Sequence, residues 1–183
     1  MKKVKDKRQQ QALNIFLGII FMTLPIIGIA LSAIAIGGDI GNYVEPYKFC
    51  FIWGVIGVVL AYMVTYKLKP IIMTVNKNIK NYSQLRLYFS LGFIGIALIV
   101  GVKINSYNSS LDKTFNSTLI YKTQKKGGYG VVGYNKLHFF INEQAIELRC
   151  HLKYWENHNL GEKINIEFYK SKMGFHYWKI KNE

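Results

Sequence analysis

Residues 49–66 read FCFIWGVIGVVLAYMVTY, without one Asp, Glu, Lys, Arg or His. Crossing about 30 Å of hydrocarbon takes roughly 20 apolar residues in a helix. With the neighbouring residues as flanks, this run is long enough to do so. Two further runs read the same way. Residues 15–36 (IFLGIIFMTLPIIGIALSAIAI) are free of charge, and residues 87–102 (LYFSLGFIGIALIVGV) are bounded by Arg86 and Lys103. The third run is short, but both cations can lay their stems along apolar surface and carry their charges to the two interfaces. Tyr43, Tyr47, Tyr62, Tyr66 and Tyr88 stand near the ends of the runs, where amphipathic rings are favoured. Three transmembrane helices are therefore expected, over about 15–36, 49–66 and 87–102.

Working outward, charge assigns sides. The chain carries 24 basic and 10 acidic residues in 183, a net charge of +14. In a soluble protein that excess would point to nucleic acid. Here Lys2, Lys3, Lys5, Lys7 and Arg8 precede the first run, and Lys67, Lys69, Lys77, Lys80 and Arg86 lie between the second and third. Basic residues flanking spans are retained on the cytoplasmic side, so the charge is topological and no nucleic-acid partner is expected. The first loop instead holds Asp39 and Glu45 against Lys48. The expected arrangement is a multi-pass protein of the cytoplasmic (inner) membrane. Its N-terminus and second loop face the cytoplasm, and its first loop and C-terminal part are extracytoplasmic. A rival reading takes the first run as a signal peptide, with Ala33-Ile34-Ala35 as a cleavage site. The run is longer than a usual h-region, which favours a retained span.

Within the spans, no charged residue marks an ion or proton path. Small residues four apart, Gly57 and Ala61, then Ala97 and Gly101, let helices approach closely. They serve either packing among this chain's own helices or a face for a second copy or partner. Pro25 is expected to kink the first helix. After Pro70, Ile71, Ile72, Val75, Ile79 and Tyr82 recur at helical spacing, as in a helix lying in the headgroup layer or an ordinary helical linker.

From Thr114 onward the period changes to two. Leu137, Phe139 and Ile141 alternate with polar neighbours, as do Ile146, Leu148, Cys150 and Leu152, then Ile164, Ile166 and Phe168. Turn signals separate the runs at Gly127-Gly128, Asn142-Glu143, Asn157 to Gly161 and Lys172-Met173-Gly174. With strands near 115–122 and 175–181, the expectation is five antiparallel strands in a small barrel-like or curled-sheet domain. The chain thus divides into a transmembrane domain, 1–104, and an extracytoplasmic β domain, 105–183.

Two stretches in this domain, His138-Phe139-Phe140-Ile141-Asn142-Glu143 and, about 18 residues later, Gly161-Glu162-Lys163-Ile164-Asn165-Ile166-Glu167-Phe168-Tyr169, resemble a pattern in small uncharacterised bacterial membrane proteins. Those join a few transmembrane helices to one small extracytoplasmic β domain. In them a Pro-rich stretch often follows the Tyr, whereas Lys170 to Gly174 stand here. The resemblance covers about 45 residues, implies a fold and supplies no activity.

Candidate sites are few. His138, His151, His158 and His176 show none of the usual zinc spacings, so no metal or other cofactor is expected. The glycine-rich stretch 127–133 lacks the Gly-Lys-Ser/Thr ending of a phosphate loop and reads as a hairpin with bulges. Cys50 and Cys150 would both face an oxidising side, where a disulfide between them requires Cα atoms within about 7 Å; the alternative is a buried thiol at Cys150. No nucleophile motif accompanies the domain's acids, so no catalytic residues are expected. Its residues 104–183 carry 12 basic and 7 acidic side chains, and aromatic rings beside lysines form recognition surfaces. Lys153, Tyr154 and Trp155, expected in a loop, and Tyr177 on the last strand are the candidate partner-binding residues; the alternative is that the rings belong to the core or sit at the lipid interface. The sequence accordingly reads as a non-enzymatic protein of the bacterial cell envelope whose β domain binds another protein, as an accessory subunit or a toxin-immunity protein would. The alternative is a membrane-tethered enzyme or ligand sensor acting on an envelope molecule.

Overall fold

A computed structural model describes residues 2–75, 82–127 and 133–182. The chain forms three long apolar helices followed by a five-stranded antiparallel curled sheet. The helices are α1 (Lys2–Gly37), α2 (Pro46–Val75) and α3 (Tyr82–Tyr107). Each is long and apolar enough to cross a membrane. Of the helix expected after Pro70, Ile71, Ile72 and Val75 continue α2 and Tyr82 begins α3, while residues 76–81, like the tip of the glycine-rich hairpin at 128–132, lie outside the described residues. Pro25 lies inside α1 and Pro70 inside α2. Hydroxyls within the helices are satisfied locally: Thr23 donates to the Ile19 carbonyl at 2.9 Å, Ser32 to Gly28 at 2.8 Å and Thr65 to Ala61 at 2.8 Å. Such bonds remove the cost of a bare donor in hydrocarbon.

Residues 1–32 and 52–99 make one compact unit, and residues 33–51 and 100–183 a second. The first is held by close backbone approach. A Cβ on Gly57 of α2 would lie 2.7 Å from Ile94 Cα of α3. Gly28 of α1 packs against the Leu91–Gly92 backbone, and Gly95 against Gly28 itself. Ala61 and Phe89 are buried beside this seam, among Ile20, Leu24, Val64, Leu68 and Phe93. The Gly57–Ala61 pair therefore serves packing within the chain. Gly28, Gly92 and Gly95 do the same work without having been singled out by spacing. Outward, Ile15, Phe16, Ile19, Ile26, Val55, Val58 and Val59 are exposed, which in a bilayer places them against lipid. Arg86 sits 4.8 Å from the Tyr62 ring centroid, the pairing of cation and interfacial ring expected at a span end.

In the second unit α3 gives way almost at once to β1 (Ser109–Lys125), the central strand of the order β3-β2-β1-β4-β5. The first half of β1 pairs with β4 (Lys163–Ser171) and the second half with β2 (Tyr134–Ile141), with register shifts at Leu111/Lys113 and Leu119/Tyr121. Such bulges raise the local twist and let one long strand serve two neighbours. β2 turns into β3 (Gln144–Cys150) through Asn142 and Glu143, both at positive φ. That is the two-residue hairpin geometry that matches sheet twist. β5 (Tyr177–Ile180) pairs with β4 after a turn at Gly174, φ +81°. The alternation holds: Leu119, Leu137, Phe139, Ile141, Leu148, Ile164, Ile166 and Ile180 form the core. One element was not expected. The segment after β3, read as a loop, contains the short helix α4 (Leu152–Asn157).

The first loop belongs to this unit. Its 3-10 turn, Asp39–Asn42, buries Ile40. The Asn42 amide pairs with the edge of β3, accepting from Arg149 N at 2.6 Å and donating to Arg149 O at 3.0 Å. Tyr43 then bridges to Tyr177, and Val44 N donates to His176 O at 3.0 Å. One loop thus occupies hydrogen-bonding groups on both edge strands, β3 and β5, whose bare edges would otherwise recruit other strands. The Arg149 side chain lies against Gly41, and a Cβ there would displace it. Behind the loop lies a polar hub. Asn105, fully buried near the end of α3, donates to Tyr43 Oη at 3.2 Å and to Phe175 O at 2.8 Å, and accepts from Ser171 Oγ at 2.6 Å. Burial pushes the Tyr43 phenol well above its ordinary pKa, so it stays neutral. Phe49 fits between Tyr43 and Phe175, its ring 4.6 Å and 5.1 Å from theirs.

Candidate functional site

A cleft in the second unit lies beside α4, with a volume of about 750 Å³. Its position follows from local chemistry. Trp155 of α4 packs against the buried cluster, as do Tyr154 and Cys150. Lys122 of β1 holds the far end of the segment, with Nζ 4.2 Å from the Trp155 ring and donating to His158 O at 2.7 Å. His158 stacks on Tyr154, centroids 4.0 Å apart and planes 20° off parallel. Its Nδ1 lies 2.9 Å from the Tyr154 carbonyl. A carbonyl only accepts, so Nδ1 carries the proton, and Nε2 is the basic nitrogen of the neutral ring.

Around this stack the cleft is lined by Lys153, Lys163 and Lys181, by His151 and His158, and by Asn157, Asn165 and Asn182, with Ile164 below. No carboxylate is among these lining residues. Three ammonium groups with rotatable donors, amide donors and a flat aromatic stack are the chemistry that suits an anionic group.

The four candidate residues separate. Lys153 and Tyr154 line this cleft. Trp155, expected as a loop contact, sits on α4 with its ring against the core and its Nε1 buried without an acceptor among the described residues. Tyr177 stands elsewhere, stacked between Tyr169 at 5.0 Å and Tyr43 at 5.4 Å. Tyr169 donates to Glu167 at 2.8 Å, and burial with that bond raises its pKa to about 12. Lys163, Lys181 and Asn165 were not among the candidates, and His158 was weighed only as a zinc ligand. Lys181 reaches the cleft because its N–H donates to Asn165 O at 2.9 Å, a consequence of β4–β5 register. An alternation pattern fixes which face a residue takes but leaves the pairing partner open.

Elsewhere the outer sheet face carries an ion cluster. Lys136 Nζ lies 2.5 Å from Glu147 Oε2, and His138 Nδ1 lies 3.6 Å from Oε1. His138 Nε2 meets Thr123 Oγ1 at 2.9 Å. The hydrogen bond from Lys136 holds the Glu147 carboxyl below its ordinary range. Cys50 and Cys150 are not joined in a disulfide. Among the described residues no three His, Cys, Asp or Glu side chains gather as metal ligands would. No protein-family model matches the chain, and neither does any curated protein or solved structure.

Proposed function

We propose that this is a non-enzymatic protein of a bacterial inner membrane whose extracytoplasmic β unit captures an acidic segment of a partner protein in the cleft beside α4. The observation that carries the proposal is the lining itself: three lysines and two histidines around a Tyr–His stack, with no carboxylate among the described lining residues. An acidic strand or loop would be steered to such a surface and held by charge-assisted bonds. Sidedness rests on charge. Clusters at 2–8 and 67–86 sit at one set of span ends, and the nearly balanced first loop at the other. That loop pairs with both sheet edges, so it emerges on the same side as the sheet, as three crossings require. Accessory subunits and immunity proteins of the envelope both fit this arrangement. The cleft volume also falls within the range of small-molecule pockets, which supports a ligand sensor for a compact anion as the second reading.

Photo-crosslinking in intact cells tests the proposal. A photoreactive residue at Lys153 or Asn165 is expected to give one discrete protein adduct. The same residue at Phe140, exposed on β2, is expected to give none. Changing Lys163 and Lys181 to Glu should abolish the adduct. An adduct that survives this reversal, or forms equally from position 140, contradicts the proposal.

A further inference from the structure

The second cleft in the β-bearing unit, of about 430 Å³, has a different wall. Two of its sides are helix ends: Gly37 and Gly38 at the close of α1, and Val102 and Lys103 near the close of α3. The other side brings Arg149 from β3 and Lys179 from β5. We infer that this cleft binds the phosphate headgroup of an anionic phospholipid.

Three observations converge. The first is charge. Lys103, Arg149 and Lys179 face a single carboxylate, Asp39, across the cleft, with His151 as the remaining titratable base. The second is an unfilled donor. Arg149 donates through Nη1 to the Ile36 carbonyl at the end of α1, which neutralises the negative end of that helix. Its Nε–H is nevertheless buried with no acceptor among the described residues. A buried donor left unpaired is costly, and a shift of the guanidinium away from Gly41 toward the cleft would let a phosphate oxygen accept from it. The third is depth. α1 and α3 are long and apolar enough to cross a membrane, so the cleft stands where the hydrocarbon layer ends and headgroups begin. Beside it Ile34 and Ile36 on α1, and Val100 and Ile104 on α3, are exposed and apolar, a surface on which acyl chains can lie. A soluble anion would use the cations and leave those side chains unemployed, so a lipid is the occupant that uses both. Basic pockets between helix ends are an established way of holding such headgroups.

The test uses the full-length protein, delipidated in neutral detergent and then placed in nanodiscs of phosphatidylcholine with or without phosphatidylglycerol. Native mass spectrometry after gentle release counts retained lipid. Wild type should retain phosphatidylglycerol over phosphatidylcholine. The double variant Lys103→Gln/Lys179→Gln alters two exposed side chains, and its fold can be checked by circular dichroism. It should bind the anionic lipid about thirtyfold more weakly, roughly fivefold per lysine. Lys153→Gln/Lys163→Gln, in the other cleft, should retain lipid like wild type, which separates this site from the partner cleft. Equal retention of both lipids, or loss of retention in the second double variant alone, overturns the inference. So does saturation of the site by inorganic phosphate without any preference for anionic lipid.

Discussion

The two compact units solve the packing problem in opposite ways. In residues 1–32 and 52–99, helices touch backbone to backbone through Gly28, Gly57 and Gly95, and large apolar side chains point outward. In residues 33–51 and 100–183, large side chains point inward, and Leu137, Leu148 and Ile166 are fully buried. The difference follows from the solvent. Lipid is as apolar as leucine, so burying side chains gains little there and close van der Waals approach decides. In water, removing apolar surface contributes about 25 cal/mol per Å². A glycine is therefore structural in the first unit for the same reason that a leucine is in the second.

The sharpest way to break this contrast is at Gly95. Its Cβ space is filled by the Gly28 backbone, which cannot move as a side chain can. Gly95→Leu is expected to cost about 3 kcal/mol or more, at or above the upper end for overpacking. It should show as loss of the folded species in detergent. Gly54 faces open space, so Gly54→Leu should leave stability nearly unchanged. Equal effects at the two positions would contradict backbone packing in this unit.

A smaller effect is expected at Asn105, where the aqueous rule has its exception. This buried amide joins Tyr43, Ser171 and Phe175. Asn105→Ala leaves three polar groups without that partner and should cost about 1–3 kcal/mol. Hydrogen exchange should then accelerate in residues 39–44 and 171–176 together. Acceleration in one segment alone would mean that the hub does not couple them.

Much of this contrast was legible in the sequence, because both rules leave a period. Uncharged runs gave three helices, and alternation at 137–141 and 164–166 gave the inward face of the sheet. What stayed hidden depended on pairing between distant segments. Asp39–Val44 read as a short connection, since nothing in its composition tells that Asn42 pairs with Arg149, 107 residues away. Trp155 read as a loop contact because Leu152–Asn157 is too short for helical periodicity to register. Half of the cleft was visible as Lys153 and Tyr154. The other half, Lys163, Asn165 and Lys181, came together only through β4–β5 register.

The smallest expected effect lies on the solvated sheet face. The bond from Lys136 lowers the Glu147 pKa, so the folded state binds this proton less readily than the unfolded chain. Its stabilisation is present above the unfolded carboxylate value and disappears as pH falls through the lower folded value. Glu147 is half exposed, which limits the contribution to below about 0.5 kcal/mol. Comparing wild type with Glu147→Gln between pH 7 and pH 3, the stability difference should shrink toward zero at the acid end. A difference that grows on acidification would reverse the sign of this interaction.

The central claim is that the unit bearing both clefts stands outside the cytoplasm. Paired reporters fused after Glu183 measure it most directly, one enzyme active only after export and one fluorescent protein that matures only in the cytoplasm. The exported enzyme is expected to be active and the fluorescent fusion dark. A bright fluorescent fusion with an inactive enzyme would place both clefts in the cytoplasm and contradict the sidedness on which the acidic extracytoplasmic partner rests.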